Sequence, residues 1–296
     1  MPRDVHGMQT AILTKVFSDQ SLQDACRLAA DIGYDGVELT GSANHLGPET
    51  TLDEARDLRE HLDDLGLTVP CIATYTGGYV GKSDAERQAE LDELEHYCEL
   101  ADVLDVSLIR HGPGGPGSYK ATDADYETAA EWYQKAADVA ADHGKALGIE
   151  IHSNTLVESS EDALRFLDMV DCDNVGAIHD AGNMYISHVP SGAESVQKLG
   201  DRLCHVHVKD ERAVPDGDGE GRFEIDTRKG MGWYEPTLLG EGDTDHDAVV
   251  ETLAEMGYDG YLTNECHIPP SASLTDEEIA REEYERLTAL IEAAGT

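Results

Sequence analysis

Short apolar runs rich in Val, Ile and Leu alternate along this chain with longer stretches in which apolar residues recur at helical spacing. Repeated alternation of strand and helix predicts a parallel sheet with helices packed on it. Eight such units within 296 residues favour a closed barrel over an open sheet. We therefore predict an α/β fold, a (β/α)8 TIM barrel, formed by a single domain over residues 1–296. The eight runs centre near Ile12, Val37, Ile72, Leu108, Ile149, Ala177, Val206 and Leu262.

Capping signals delimit several of the helices between these runs. Ser, Thr and Asp favour helix N-termini, and Gly favours the position after the last helical turn. The final helix is predicted over about residues 276–294, where it would close the ring. Four other helices are predicted to start at Asp19 or Ser21, at Ser83 or Asp84, at Asp123 and at Asp245, and to end near Gly33, Ala101, Gly144 and Gly257.

The sequence Gly-Tyr-Asp-Gly occurs twice, at residues 33–36 and 257–260, each time between a predicted helix and a predicted strand. The repetition fits one helix-to-strand turn that is reused around the ring. Aligning the two copies places Leu262 opposite Glu38. Because side chains alternate along a strand, Leu262 and Glu265 point to opposite faces, and the alignment predicts that Glu38 faces the surrounding helices.

Two stretches interrupt the alternation. Residues 110–120, rich in Gly and Pro, follow the fourth strand, and a long Gly- and Asp-rich loop at about 211–242 follows the seventh. In a barrel both lie at the C-terminal ends of the strands, where long loops build or cover the active site. A disordered acidic loop is the alternative for the second stretch, although apolar residues such as Trp233 predict that at least its second half packs.

The chain carries 61 acidic and 21 basic residues, a formal net charge of −40 at pH 7. Such a surface repels nucleic acid and anionic lipid, because phosphate binding needs clustered Lys and Arg. We interpret the acidity as an adaptation of solubility to a salt-rich cytoplasm, typical of a halophile. With no secretion signal and no membrane-spanning stretch, the sequence predicts a cytoplasmic protein without nucleic-acid or membrane partners, and a homo-oligomer is left open.

Four of the predicted strands end in residue types that bind metal ions. Charged groups at the ends of otherwise apolar, buried strands are costly unless they are paired or metal-bound. Their recurrence on four neighbouring strands predicts a divalent-cation site with carboxylate and imidazole donors, and the scattered cysteines argue against a structural zinc site. The fifth to eighth strands supply, in order, Glu150 and His152, His179 and Asp180, His205 and His207, and Glu265 and His267.

Several motifs in this order resemble the sugar isomerase/epimerase group of the xylose isomerase-like barrels, a group that also includes inosose dehydratases and apurinic endonucleases. The resemblance covers nearly the whole chain and implies the barrel fold. The matching motifs are Gly-Tyr-Asp-Gly-Val-Glu-Leu (33–39), Glu-Ile-His (150–152), Asp-Ala-Gly-Asn-Met (180–184), His-Val-His-Val-Lys-Asp (205–210), Leu-Gly-Glu-Gly (239–242) and Gly-Tyr-Asp-Gly-Tyr-Leu-x-x-Glu (257–265).

The resemblance implies one divalent ion held by Glu150, Asp180, His207 and Glu265. Mn²⁺ is our first expectation, with Co²⁺, Mg²⁺ and Zn²⁺ as alternatives. In the ketose epimerases of this group, the glutamates that match Glu150 and Glu265 also serve as acid/base residues on opposite faces of the substrate. The group often has a substrate-contacting His three residues after the metal-binding Asp, and we keep Asn183, which stands there, as a candidate substrate contact.

Such a site suits proton transfer next to a carbonyl group. A divalent ion stabilises the enediolate that forms when a base removes the alpha proton, and a second carboxylate on the opposite face can return the proton. His111, His152 and Lys209 are further candidate substrate contacts. For Lys209, a salt bridge with a neighbouring carboxylate is the alternative.

We therefore predict a metal-dependent isomerase or epimerase acting on a small sugar or cyclitol. The alternative is an inosose- or dehydroshikimate-type dehydratase that uses the same metal site and expels a β-hydroxyl. A non-catalytic sugar-binding barrel and an apurinic endonuclease are remoter readings. The endonuclease needs extra His ligands, whereas this chain has Asn183 and Asp-Glu-Arg (210–212) at the corresponding places.

Overall fold

The computed structural model describes residues 7–268 and 274–295. Eight parallel strands close into a barrel in chain order, and the last of them completes the ring between the seventh and the first. All eight predicted strand centres fall within these strands, which confirms the predicted barrel. The barrel strands are β1 (Gln9–Leu13), β2 (Gly36–Thr40), β3 (Ile72–Gly77), β4 (Leu108–Gly112), β5 (Ala146–Glu150), β6 (Val175–Asp180), β7 (Leu203–Val208) and β11 (Tyr261–Asn264).

Helices follow the barrel strands and cover their outer faces. Ser21, Ser83 and Asp245 cap helix N-termini as predicted, whereas the fourth helix is capped by Thr122, one residue before Asp123. The helices are α1 (Leu22–Ile32), α2 (Leu52–Leu65), α3 (Asp84–Leu104), α4 (Asp123–Asp142), α5 (Ser160–Val170), α6 (Ala181–Ile186), α7 (Ala193–Leu199), α8 (His246–Glu255) and α9 (Asp276–Ala294).

The last helix, α9, packs between α8 and α1 and so closes the outer layer. The Tyr34 hydroxyl donates to the backbone oxygen of Ala280, and the Tyr34 ring contacts Tyr284 edge-on at 5.0 Å between centroids. None of the helices described here is long and apolar enough to cross a membrane. The predicted single domain also includes residues 1–6, 269–273 and 296, which lie outside the described residues.

The stretch after β7 is not a disordered loop. It forms a three-stranded antiparallel sheet in the order β8-β10-β9, with β8 at Asp210–Val214, β9 at Phe223–Thr227 and β10 at Gly230–Thr237. We call this sheet the insertion. The alternation of apolar and polar residues alone does not identify this polar segment as strands. Antiparallel pairing nevertheless gives its backbone N–H and C=O groups hydrogen-bond partners.

Candidate metal centre

The four predicted metal ligands meet at the C-terminal mouth of the barrel. Glu150 ends β5 and Asp180 ends β6, while the register of the sheet sets His207 of β7 directly opposite Asp180. Glu265 follows β11, two residues after the partner of His207 in the register. One ligand atom from each of the four residues lies within 4.8 Å of the others, and all four side chains are buried.

Cationic and amide groups surround the carboxylates of this cluster. Arg110 Nη1 donates to Glu150 Oε2 at 2.7 Å, and Asn183 Nδ2 donates to Glu150 Oε1 at 3.1 Å. On the other side, Lys209 Nζ lies 3.0 Å from Asp180 Oδ2 and 3.1 Å from Glu265 Oε2. The salt bridge that was the alternative reading of Lys209 is therefore present.

These contacts set the charge state of the cluster. Although burial opposes ionisation, Arg110 and a hydrogen bond with His207 hold the pKa of Glu150 well below its usual range. In the same way, Lys209 and His207 outweigh burial and lower the pKa of Glu265. For Asp180 burial prevails over Lys209, and its pKa rises to about 6.

The cluster fits a divalent cation. Asp180 Oδ2 is buried and accepts no hydrogen bond of acceptable geometry, so this oxygen retains a lone pair for a cation. Three carboxylates and one imidazole form a donor set suited to Mn²⁺, Co²⁺, Mg²⁺ or Zn²⁺. The structure thus contains a site for the expected divalent metal, and several ions satisfy its chemistry.

Glu38 is part of this site, contrary to our prediction that it faces the helices. Its Oε1 lies 3.1 Å from His207 Nε2 and its Oε2 lies 2.9 Å from His205 Nε2, and all three side chains are buried inside the barrel. The register pairs Gly36 with Ala11 and Ala11 with Thr263. Glu38 therefore shares the inner face with Glu265. Gly36 thus lies level with Thr263 rather than with its aligned counterpart Gly260, an offset of three residues, and an odd offset inverts the predicted orientation.

Arg110 and His111 show how alternation in β4 divides inner from outer positions. Arg110 points into the barrel, whereas His111 points outward and is fully buried. The His111 ring nitrogens lie 2.8 Å from Tyr79 Oη and 2.8 Å from Thr76 Oγ1. His111, predicted as a substrate contact, lines neither of the cavities at the mouth of the barrel. The sequence does not show which of the neighbours Arg110 and His111 points into the barrel, because β4 ends at Gly112, which has no side chain to indicate the inner face.

Two adjoining cavities open at the mouth of the barrel. The mouth cavity, about 360 Å³, is lined by Tyr75, Arg110, Glu150 and Glu265, among others. The insertion cavity, about 350 Å³, is lined by Asn183, Lys209, Glu211, Phe223 and Pro236, among others. Lys15, His152 and His267 line both.

Three of the four predicted substrate contacts, His152, Asn183 and Lys209, therefore line a cavity beside the cluster. The exposed ring of Tyr75 lies under two cations, 5.1 Å from Arg110 and 5.7 Å from Lys15, and supplies an apolar wall that the sequence did not indicate. A larger cavity of about 560 Å³ lies where β5 and β6 begin and contains no member of the cluster. The chemistry is thus concentrated at the C-terminal mouth, as expected for this fold.

Comparison with known proteins agrees with this architecture. The model of the xylose isomerase-like TIM-barrel family matches residues 26–290. The inosose dehydratase of Geobacillus kaustophilus is 26% identical over 285 residues, which cover 90% of this chain and 87% of that protein.

Solved structures share the same fold. The crystal structure of the IolI protein with a bound zinc atom superposes with a TM-score of 0.78 at 18% identity, covering 97% of this chain and 99% of that one. The probable 3-DHS dehydratase AsbF of Bacillus anthracis gives a TM-score of 0.74 at 21% identity, with 95% and 99% of the two chains covered. At these identities the solved structures establish the fold alone.

Proposed function

Because the chain belongs to the xylose isomerase-like TIM-barrel family, we propose that this enzyme is a divalent-metal-dependent dehydratase of a cyclic polyhydroxy ketone such as an inosose. The observation that carries the proposal is the similarity to an inosose dehydratase over 90% of the chain. Sequence motifs alone led us to place an isomerase or epimerase first and a dehydratase second. The named relatives favour the second reading.

Four side chains of this chain would hold the ion: Glu150, Asp180, His207 through Nδ1, and Glu265. When bound, the ion supplies Lewis-acid stabilisation of the negative charge that develops on the ketone oxygen. The ketone ring would occupy the mouth cavity, where Tyr75 offers an apolar face. His152, Asn183 and Lys209 are proposed to contact its hydroxyl groups from the adjoining cavity.

Glu265 is our candidate for the base that removes the proton next to the carbonyl. Its low pKa keeps it ionised at neutral pH, and its Oε2 is held by Lys209. Its Oε1 lies 3.7 Å from His267 Nε2, beyond hydrogen-bond distance, so this oxygen is placed to accept a proton. Both Glu150 oxygens, by contrast, already accept hydrogen bonds, from Arg110 and Asn183.

One observation favours the isomerase or epimerase as a second candidate. Glu150 Oε1 and Glu265 Oε2 lie 3.2 and 3.5 Å from the same atom, His207 Nδ1. Two carboxylates near one point could take a proton from one face of a substrate and return it to the other, if the substrate binds between them. Retention of the β-hydroxyl in the product distinguishes this reaction from a dehydration.

The experiment is an assay of the purified protein with an inosose and with 3-dehydroshikimate, before and after removal of divalent ions. We expect water loss, seen as an ultraviolet-absorbing conjugated product, only with an ion present and not in the Glu150→Gln variant. Exchange of the alpha proton with D₂O without water loss would establish the isomerase or epimerase. Binding without either reaction would leave a non-catalytic sugar-binding barrel.

The sequence also predicts the native ion, the kind of substrate, the cellular location and the assembly of this protein. We propose Mn²⁺ as the native ion and a small cyclitol or sugar as the partner of the site. The cytoplasmic location, the salt-rich host cell, the homo-oligomer and the single domain over residues 1–296 stay predictions. Metal analysis of the purified protein tests the identity of the ion, and the molar mass of the protein in solution tests the homo-oligomer.

A further inference from the structure

Glu211 of the insertion is buried, and its carboxyl group makes no hydrogen bond that would explain a structural role. Its side chain lines the insertion cavity beside Lys209 and Asn183 and is only 3% exposed. Its backbone groups are used, since its N–H donates to Asp210 Oδ1 and its carbonyl accepts from the N–H of Asp243. The side-chain oxygen Oε2, however, has no hydrogen-bond partner.

Two other buried carboxylates, Asp210 and Glu283, accept hydrogen bonds from the backbone and have a structural role. Asp210 accepts hydrogen bonds from the N–H groups of Gly240, Gly242 and Thr244 and so fixes the loop after β10. Glu283 accepts from the N–H of Leu239 and from the Asn264 amide. An unpaired buried oxygen, in contrast, is costly and calls for a functional explanation.

Among the described residues, only two buried carboxylate oxygens lack a hydrogen-bond partner. One is Asp180 Oδ2 in the metal cluster, and the other is Glu211 Oε2. Lys209 connects the two sites, because its ammonium group contacts Asp180 and also bears electrostatically on Glu211. Glu211 thus lines the insertion cavity, whereas Glu150 and Glu265 of the metal cluster line the adjoining mouth cavity.

The surroundings of Glu211 favour a protonated carboxyl group. Burial raises its pKa to about 8, and the neighbouring carboxylates of Asp180, Glu265 and Asp210 add to the effect against the opposing charge of Lys209. A protonated carboxyl group is a proton donor, which a dehydration needs, because hydroxide is a poor leaving group unless it is protonated as the C–O bond breaks.

We propose that Glu211 is the catalytic acid of the dehydration, donating its proton to the departing β-hydroxyl. This inference rests on the proposed function. The alpha C–H bond breaks with its proton passing to Glu265, its electrons form the C=C bond, and the C–O bond breaks to release water that carries the Glu211 proton. No oxidation or reduction occurs. Glu211 is left as a carboxylate beside Lys209, and solvent exchange then moves the proton from Glu265 back to Glu211.

The test compares two leaving groups in wild type, Glu211→Gln and a control. Glutamine has the shape of the neutral acid without its acidic proton, and Glu224→Gln removes an exposed carboxylate from the same insertion. With the hydroxyl substrate, E211Q should lower kcat by about 10²- to 10³-fold, the size of a general-acid effect. With an analogue that carries fluoride in place of the β-hydroxyl, it should stay within about threefold of wild type, because fluoride leaves without protonation.

Equal loss on both substrates, or no loss on either, would overturn the role of Glu211. If wild type dehydrates neither substrate, the proposed function itself fails, and the two failures are thereby separated. Thermal unfolding and metal affinity of E211Q are compared with wild type to verify folding. Should E211Q not fold, Glu211→Asp, which keeps an acidic proton on a shorter side chain, is expected to lose kcat on the hydroxyl substrate alone.

Discussion

Glu38 Oε1 lies 3.1 Å from His207 Nε2 at the centre of the barrel, and both side chains are fully buried. This contact occupies Nε2 and leaves Nδ1 as the nitrogen that faces Glu150 and Glu265. Carboxylate partners of this kind fix the tautomer and the orientation of a metal-binding histidine. We therefore expect Glu38 to position His207 for the proposed ion rather than to bind the ion itself.

Glu38→Gln should weaken the binding of a divalent ion by about 10- to 100-fold, because the amide no longer holds the imidazole as a charged acceptor does. Titration of metal-stripped protein with Mn²⁺ against a fluorescent chelator measures the affinity. Glu220→Gln, at an exposed position in the loop between β8 and β9, is the control. Unchanged affinity in a folded E38Q protein would contradict the positioning role.

The ion should also stabilise the fold, since a ligand that binds only the native state raises the free energy of unfolding. At a free concentration 100 times its dissociation constant, Mn²⁺ should add about 2.7 kcal/mol to wild type. Asp180→Asn removes a ligand and should abolish this gain, whereas Asp173→Asn, exposed at the other end of β6, should keep it. Urea unfolding with Mn²⁺ or with a chelator gives the comparison, and an equal gain in D180N would argue against Asp180 as a ligand.

Lys209 should contribute most to the stability of the fold when the ion is absent. Its buried ammonium group then compensates Asp180 and Glu265, and removing one partner of a buried ion pair costs about 3–5 kcal/mol. Lys209→Met should therefore destabilise the metal-free protein strongly and the Mn²⁺-saturated protein less, because the ion also neutralises the carboxylates. Lys198→Met, which breaks an exposed pair with Glu161, should have little effect in either state. Equal destabilisation of K209M with and without Mn²⁺ would show that the ion and Lys209 act independently.

The barrel and the convergence of the four candidate ligands could be predicted because both depend on coarse features of the sequence. Apolar runs locate the strands, and in a parallel barrel the strand ends converge whatever the details of the loops. Each candidate ligand lies at the end of a strand or within one residue of it, so an error of one residue in the start of the strand does not move it away from the mouth of the barrel. These residues are Glu150, Asp180, His207 and Glu265.

Orientation within a strand is more fragile, because a shift of one residue exchanges the two faces. This is why the sequence predicts the wrong face for Glu38 and does not indicate Arg110, the neighbour of His111, which contacts Glu150. The strands of the insertion could not be predicted from the sequence for a different reason. Two of its strands, β8 and β9, have only five residues each and include charged residues. The pairing of these strands depends on contacts with the rest of the fold, such as the packing of Tyr234 of β10 on Tyr185.

The raised pKa of Glu211 has a consequence for stability that does not depend on turnover. The pKa is about 8 in the folded protein against an ordinary 4.5, so between these pH values the folded state binds more protons than the unfolded state. The free energy of unfolding of metal-free protein should then fall as pH rises from 4.5 to 8, by at most about 1.4 kcal/mol per pH unit from this group. Below pH 4.5 the contribution is constant. The stability of wild type minus that of E211Q, measured by urea unfolding across pH 4 to 9 in about 0.5-unit steps, isolates Glu211 from the other titrating groups. This difference should decline across the window and level off above it, whereas a flat difference would mean that Glu211 is already ionised in the folded protein.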